Sequence, residues 1–171
     1  MKPAVTAVDL AASIGPLTLD NPVLVASGTF GGVQDSVIDV NRLGGVVAKT
    51  VTMEPRKGNP PPRVWETPSG MLNSIGLDNK GLEGWIAREL PHYSEYRCRL
   101  IVSVSGRTAE EYRDLVGRLS EFPRIDAFEL NISCPNVSHG CDYGTDPALT
   151  EKVVRIAKAA TKKPVIAKLT P

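Results

Sequence analysis

An α/β chain that supplies the first part of a (β/α)8 barrel is the fold class this sequence predicts, on three observations. Short, unbroken apolar runs recur along the chain, as expected of strands buried on both faces of a parallel sheet. Segments with helical spacing of apolar residues alternate with them. Polar residues close almost every run, namely Ser27, Lys49, Ser103, Asn131 and Lys168. Barrel enzymes gather their chemistry at the C-terminal ends of many strands. An open doubly wound sheet would concentrate it at one switch point.

The elements follow in order. Val23-Leu24-Val25-Ala26 is the first strand and ends in Ser27-Gly28-Thr29. Asp35 to Leu43 is a helix candidate that stops at Gly44-Gly45. Gly45-Val46-Val47-Ala48 is the second strand, followed by Lys49-Thr50. Met53 to Pro62 is rich in proline and reads, residue by residue, as a stiff surface loop. After Asn79, residues Leu82, Trp85, Ile86 and Leu90 share one helical face, which Pro91 is expected to close. Leu100 to Val104 is the third strand. Thr108 and Glu111 have the spacing of a capping box, and Tyr112, Leu115, Val116 and Leu119 supply the buried stripe of the helix behind it. Asp126 to Leu130 is the fourth strand, ending in Asn131. Asp146 caps a helix with Pro147 in its first position, and Leu149, Val153, Ile156 and Ala160 lie along one side of it. Pro164 to Ala167 is the fifth strand, ending in Lys168.

A complete barrel needs eight strands and about 250 residues. Here 171 residues carry five strands and stop at Lys168-Leu169-Thr170-Pro171. The expected organisation is one unit, residues 1–171, forming the N-terminal portion of a single barrel domain whose C-terminal strands are absent. Composition excludes several classes. With 20 Lys and Arg against 19 Asp and Glu, the formal net charge of +1 gives no basic excess for nucleic acid. A hydrophobic share of 42% is too high for a disordered chain. No apolar stretch is long enough to span a membrane and no signal-peptide core follows Met1. Cys98, Cys134 and Cys141 are odd in number and form no C-x-x-C pair, so a reduced, cytoplasmic protein without a metal site is expected. His92 and His139 have no partners at ligand spacing and read as surface residues.

Three stretches could carry chemistry. In Asn131-Ile132-Ser133-Cys134-Pro135-Asn136, two amides flank one thiol. Amides offer donors and an acceptor to a planar, carbonyl-rich ligand, and a thiol whose pKa falls toward neutrality can act as a base. The plainer reading of a single cysteine is a small buried apolar residue. Asn73-Ser74-Ile75-Gly76-Leu77-Asp78-Asn79 again sets amides near a glycine, but read alone it is a capped helix start. Lys49 and Lys168 both follow apolar runs at strand ends, where a pair of ammonium groups suits an anionic ligand. One such lysine by itself would be solvated surface. There is no G-x-G-x-x-G or P-loop.

Together these stretches resemble the dihydroorotate dehydrogenases. The resemblance rests on Asn21-Pro22, Ala26-Ser27-Gly28-Thr29-Phe30-Gly31, Lys49-Thr50, Gly58-Asn59-Pro60-Pro61-Pro62-Arg63, Asn73 to Leu77, Asn131 to Asn136, Gly144-Thr145-Asp146 and Lys168 to Pro171, in that order. The cysteine and the Gly-Asn-Pro-Pro-Pro-Arg loop are similar to the soluble class 1 enzymes, particularly the NAD-linked form. The resemblance implies an FMN enzyme that oxidises (S)-dihydroorotate to orotate in de novo pyrimidine (UMP) biosynthesis. It implies that Cys134 is the catalytic base. Lys49, Asn73, Ser74, Ile75, Gly76, Leu77, Asn131 and Asn136 would hold substrate. Ser27, Lys49, Thr50, Ser103, Asn131 and Lys168 would contact FMN. It further implies a partner subunit carrying FAD and a [2Fe–2S] cluster that passes electrons to NAD+, and a homo-oligomer of such heterodimers. The family usually has Asn where this chain has Ser103, which would weaken one flavin contact. The alternatives are a truncated, non-catalytic fragment and a barrel like that of dihydropyrimidine dehydrogenase.

Overall fold

The computed structural model describes residues 8–31, 33–133 and 143–169. A small antiparallel hairpin, β1 (Ala12–Ile14) and β2 (Leu17–Leu19), opens the described chain. Five parallel strands then form one sheet in the order β3 (Leu24–Val25), β4 (Gly45–Val51), β7 (Arg99–Val104), β8 (Ala127–Asn131) and β9 (Val165–Lys168). Each strand lies beside the one before it in the chain, with no reversal. That order is the wall of a βα barrel, whereas a doubly wound sheet reverses at its switch point.

The connections carry the helices. Between β4 and β7 run a second hairpin, β5 (Val64–Thr67) with β6 (Gly70–Asn73), and then α1 (Gly81–Arg88) and α2 (Leu90–Tyr93). Helix α3 (Ala109–Ser120) joins β7 to β8, and α4 (Pro147–Ala159) joins β8 to β9. The caps explain two of these starts. Thr108 Oγ1 accepts from the Glu111 N–H at 3.2 Å. Asp146 Oδ1 accepts from the N–H groups of Ala148 and Leu149 at 2.7 and 3.0 Å. Each satisfies orphan donors of a first turn.

Two expectations are corrected. Residues 35–43 form two short 3-10 turns, Gln34–Ser36 and Val40–Arg42, in place of one helix. Ser36 Oγ donates back to the Val33 carbonyl and Asp39 Oδ1 accepts from Asn41 N–H, so local bonds replace the helical ladder. Val37 and Ile38 stay exposed, so no apolar face favours a longer helix. Pro91 does not close its helix region; it sits in the first turn of α2, where no N–H is needed.

Strand alternation divides the core in two. One set of side chains, with Val46, Ala48, Leu100, Val102, Val104, Phe128 and Leu130 among them, packs outward on the helices. The opposite set, Val47, Ile101 and Ala127, faces the lumen and meets Leu17 and Leu19 of the first hairpin. That hairpin plugs the lumen at the N-terminal ends of the strands, where Arg99 Nε donates to the Thr18 carbonyl at 2.9 Å. Both faces of the central strands β4, β7 and β8 are thereby buried, which is why these strands read as continuous apolar runs.

Candidate functional site

At the other end of the sheet the apolar lumen turns polar. The pairing of β4 with β7 shifts register between Ala48 and Val51, and Lys49 and Thr50 occupy the shift. Such a bulge re-aims side chains at a barrel rim. Thr50 Oγ1 lies 2.9 Å from Ser103 Oγ, both groups buried, and Asn131 Nδ2 donates to Thr50 Oγ1 at 3.4 Å. A hydroxyl pair shielded in this way holds one geometry, because an unmade buried hydrogen bond is costly. Asn131 is fixed from behind by Tyr112, whose hydroxyl donates to the Asn131 carbonyl at 2.8 Å.

Lys168 projects from the edge strand β9, beside Asn131 in register. Its Nζ donates to Ser27 Oγ at 3.1 Å, reaching the loop behind the opposite edge strand β3. The same Nζ lies 3.8 Å from Glu129 Oε1. Ser133 Oγ donates to the Lys168 carbonyl at 2.8 Å and ties the two strand ends together. Lys49 reaches the same loop from the other side. Gly28 has φ +80°, and a Cβ there would lie 3.1 Å from Lys49 Nζ, so the glycine leaves room for the ammonium group.

A second loop borders the mouth. Asn59 Nδ2 donates to the Ser74 carbonyl and Oγ at 3.1 and 2.7 Å, and Asn59 N–H donates to the Ile75 carbonyl at 3.0 Å. Gly76 has φ +76°, and a Cβ there would stand 2.5 Å from Asn59 N. Leu77 follows with φ +59° and is buried. A branched side chain in the left-handed region is uncommon and marks an over-determined backbone. Arg63 supplies much of that determination. It donates to the carbonyls of Asn59 and Lys57 at 2.6 and 2.8 Å and pairs with Asp78 at 2.7 Å. The proline-rich segment is therefore a brace for residues 73–78. Asn73 itself closes β6 and is exposed, as is Ser74. The helix start lies further on, where Asn79 Oδ1 accepts from Gly81 N–H at 2.8 Å.

The structure thus brings Ser27, Lys49, Thr50, Ser103, Asn131 and Lys168 to one mouth, with Ser103 fully buried behind Thr50. Cys134 and Asn136 lie outside the described residues. Sequence reasoning gave no role to Glu129, Asn59 or Arg63. For Glu129 a signal existed, since a carboxylate inside a buried strand is rare. Two ammonium groups, hydroxyl and amide donors and one buried carboxylate suit a planar, anionic heterocycle that also carries an N–H. Among the described residues no helix is long and apolar enough to cross a membrane.

Sheet order and mouth together define a βα-barrel protein with a polar, doubly cationic site at the C-terminal ends of its strands. The dihydroorotate dehydrogenase family model matches residues 9–171, and the chain belongs to that family. It is 50% identical over 167 residues to the dihydroorotate dehydrogenase B (NAD(+)) catalytic subunit of Desulforudis audaxviator, covering 96% of this chain and 54% of the relative. The catalytic subunit of the same name from Alkaliphilus metalliredigens is 46% identical over 169 residues, with 97% and 56% covered. A crystal structure of Eimeria tenella DHODH in complex with ferulenol superposes with a TM-score of 0.78 at 20% identity, covering 95% of this chain and 52% of that one. The chain spans about half the length of the relatives it matches.

Proposed function

We propose that this chain supplies the N-terminal half of the catalytic barrel of an NAD-linked dihydroorotate dehydrogenase, which oxidises (S)-dihydroorotate to orotate with FMN. The single observation that carries this reading is the convergence of Lys49 and Lys168 on the Ser27–Gly28 loop at the barrel mouth. The residues present fit the flavin. The Lys49 and Lys168 ammonium groups at the mouth match a ring that becomes anionic on reduction. FMN when bound accepts the hydride that leaves the substrate. Lys49, Thr50, Asn131 and Lys168 would hold the ring, with Ser103 acting through Thr50. Asn73 to Leu77, braced by Asn59 and Arg63, would shape the substrate side together with Asn131 and Asn136. Cys134 would take the proton from the carbon next to the one that loses hydride. The names of the relatives support a separate electron-transfer subunit, proposed here to carry FAD and a [2Fe–2S] cluster.

The test uses the complete gene product. It should purify with flavin absorbance that bleaches anaerobically on adding dihydroorotate and not on adding dihydrouracil. Cys134→Ser should slow that bleaching at neutral pH by about 10²- to 10⁴-fold, the range for loss of a general base. A colourless protein, or bleaching indifferent to Cys134→Ser, refutes the corresponding part of the reading.

A further inference from the structure

We propose that Glu129 is a positioning residue, whose buried carboxylate anchors the Lys168 ammonium group at the centre of the barrel mouth. Glu129 stands on the lumen face of β8, two residues beyond the plug-facing Ala127 and two before Asn131. Its neighbours in register are Ser103 on β7 and Ile166 on β9. Neither carries a charge. The residue is 8% exposed, and Oε1 accepts no hydrogen bond among the described residues. A carboxylate placed so deep without a counter-charge is strongly unfavourable. The ammonium group of Lys168, 3.8 Å from Oε1, supplies that charge.

The anchoring works in both directions. An ammonium group has three N–H donors. One is given to Ser27 Oγ at 3.1 Å, and the pull of Glu129 from below limits where the other two can aim. Lys168 starts from an edge strand and ends beside the loop of the opposite edge, a long unbranched reach that packing alone would leave mobile. Ser27 offers a hydrogen bond but no charge. Glu129 also brings the net charge beneath the mouth close to zero on the Lys168 side, leaving Lys49 near Gly28 as a cation with no ion pair among the described residues. The proposal rests on the flavin reading for its consequence and on the Glu129–Lys168 geometry for its substance, so the two are tested separately.

The first measurement is a double-mutant cycle in chemical denaturation of the complete gene product, with Glu129→Gln, Lys168→Met and the pair. Coupling is expected: the double variant should lose less stability than the two single losses together, because Lys168→Met alone strands the carboxylate. The second is the midpoint potential of the bound flavin. Glu129→Gln removes a negative charge beneath the barrel mouth and should shift the potential to a less negative value. A residue that only supports the fold would leave the potential unmoved. Should Glu129→Gln fail to fold, Glu129→Asp must move the potential through a changed distance to Lys168. An additive cycle overturns the proposal, and so does an unchanged potential in the folded variant. A wild-type protein that purifies without flavin overturns the flavin reading instead, and the cycle then decides the Glu129–Lys168 anchor on its own.

Discussion

Asn79 shows how much one amide can organise. Its Oδ1 accepts from Thr52 Oγ1 at 3.0 Å and Gly81 N–H at 2.8 Å, and its Nδ2 donates to the Leu77 carbonyl at 2.8 Å. It joins the end of β4, the braced loop and the start of α1. Asn79→Ala should therefore cost about 1–3 kcal/mol, the range for leaving partly buried partners unsatisfied. Urea denaturation would read it, and a loss no larger than that of an exposed alanine substitution would refute it. Leu115 is the apolar counterpart. It is fully buried under α3, and Leu115→Ala should cost about 2–5 kcal/mol by the same measurement. Cys98 is also buried, and burial pushes its thiol pKa up. The reactive thiolate is thus scarcer than in a free thiol at neutral pH. Peptide mapping after brief alkylation should find Cys98 unmodified until denaturant is added; rapid labelling in the folded state would contradict this.

At the scale of elements, legibility followed burial and capping. Helix α3 announces itself, because Tyr112, Leu115, Val116 and Leu119 keep one face and Thr108 caps it. Its box is modified, since the Glu111 carboxylate accepts from Arg107 N–H at 2.7 Å. Thr108→Ala should still cost about 1 kcal/mol through the lost cap, seen as a lower denaturation midpoint with an unchanged slope. The hairpin β5–β6 gave no such signal. Val64, Trp65, Met71 and Leu72 are all exposed, so no alternation against a core marks the strands. Strands β1 and β2 are three residues each, too short for a periodic pattern. The mouth was legible where a polar side chain ends an apolar run, as with Lys49 and Asn131. Glu129 reads as strand interior, which it is; its charge marks it as unusual there, and the lumen-facing register on β8 shows what that charge faces.

Across the whole molecule, sequential strand order makes the site a property of the entire sheet, since Ser27 and Lys168 meet from its two edges. The helical layer behind β4 adds a response to base. Burial, and then the charge of Glu89, raise the Tyr93 phenol pKa from 10.0 to about 12. The folded state holds that proton after the unfolded chain has released it. The contribution to stability is thus complete below about pH 10 and is lost as the pH climbs toward 12. Tyr93→Phe should flatten this alkaline loss in denaturation midpoints taken across that window; an equal loss in both proteins would assign it elsewhere. The plug formed by β1 and β2 has a consequence in time. Leu17 and Leu19 leave the ribosome well before one of their lumen partners, Ala127, more than a hundred residues downstream. Closing so long a loop is slow. This hairpin should settle late, and pulse-labelled hydrogen exchange would find the amides of 17–19 protected after those of α3.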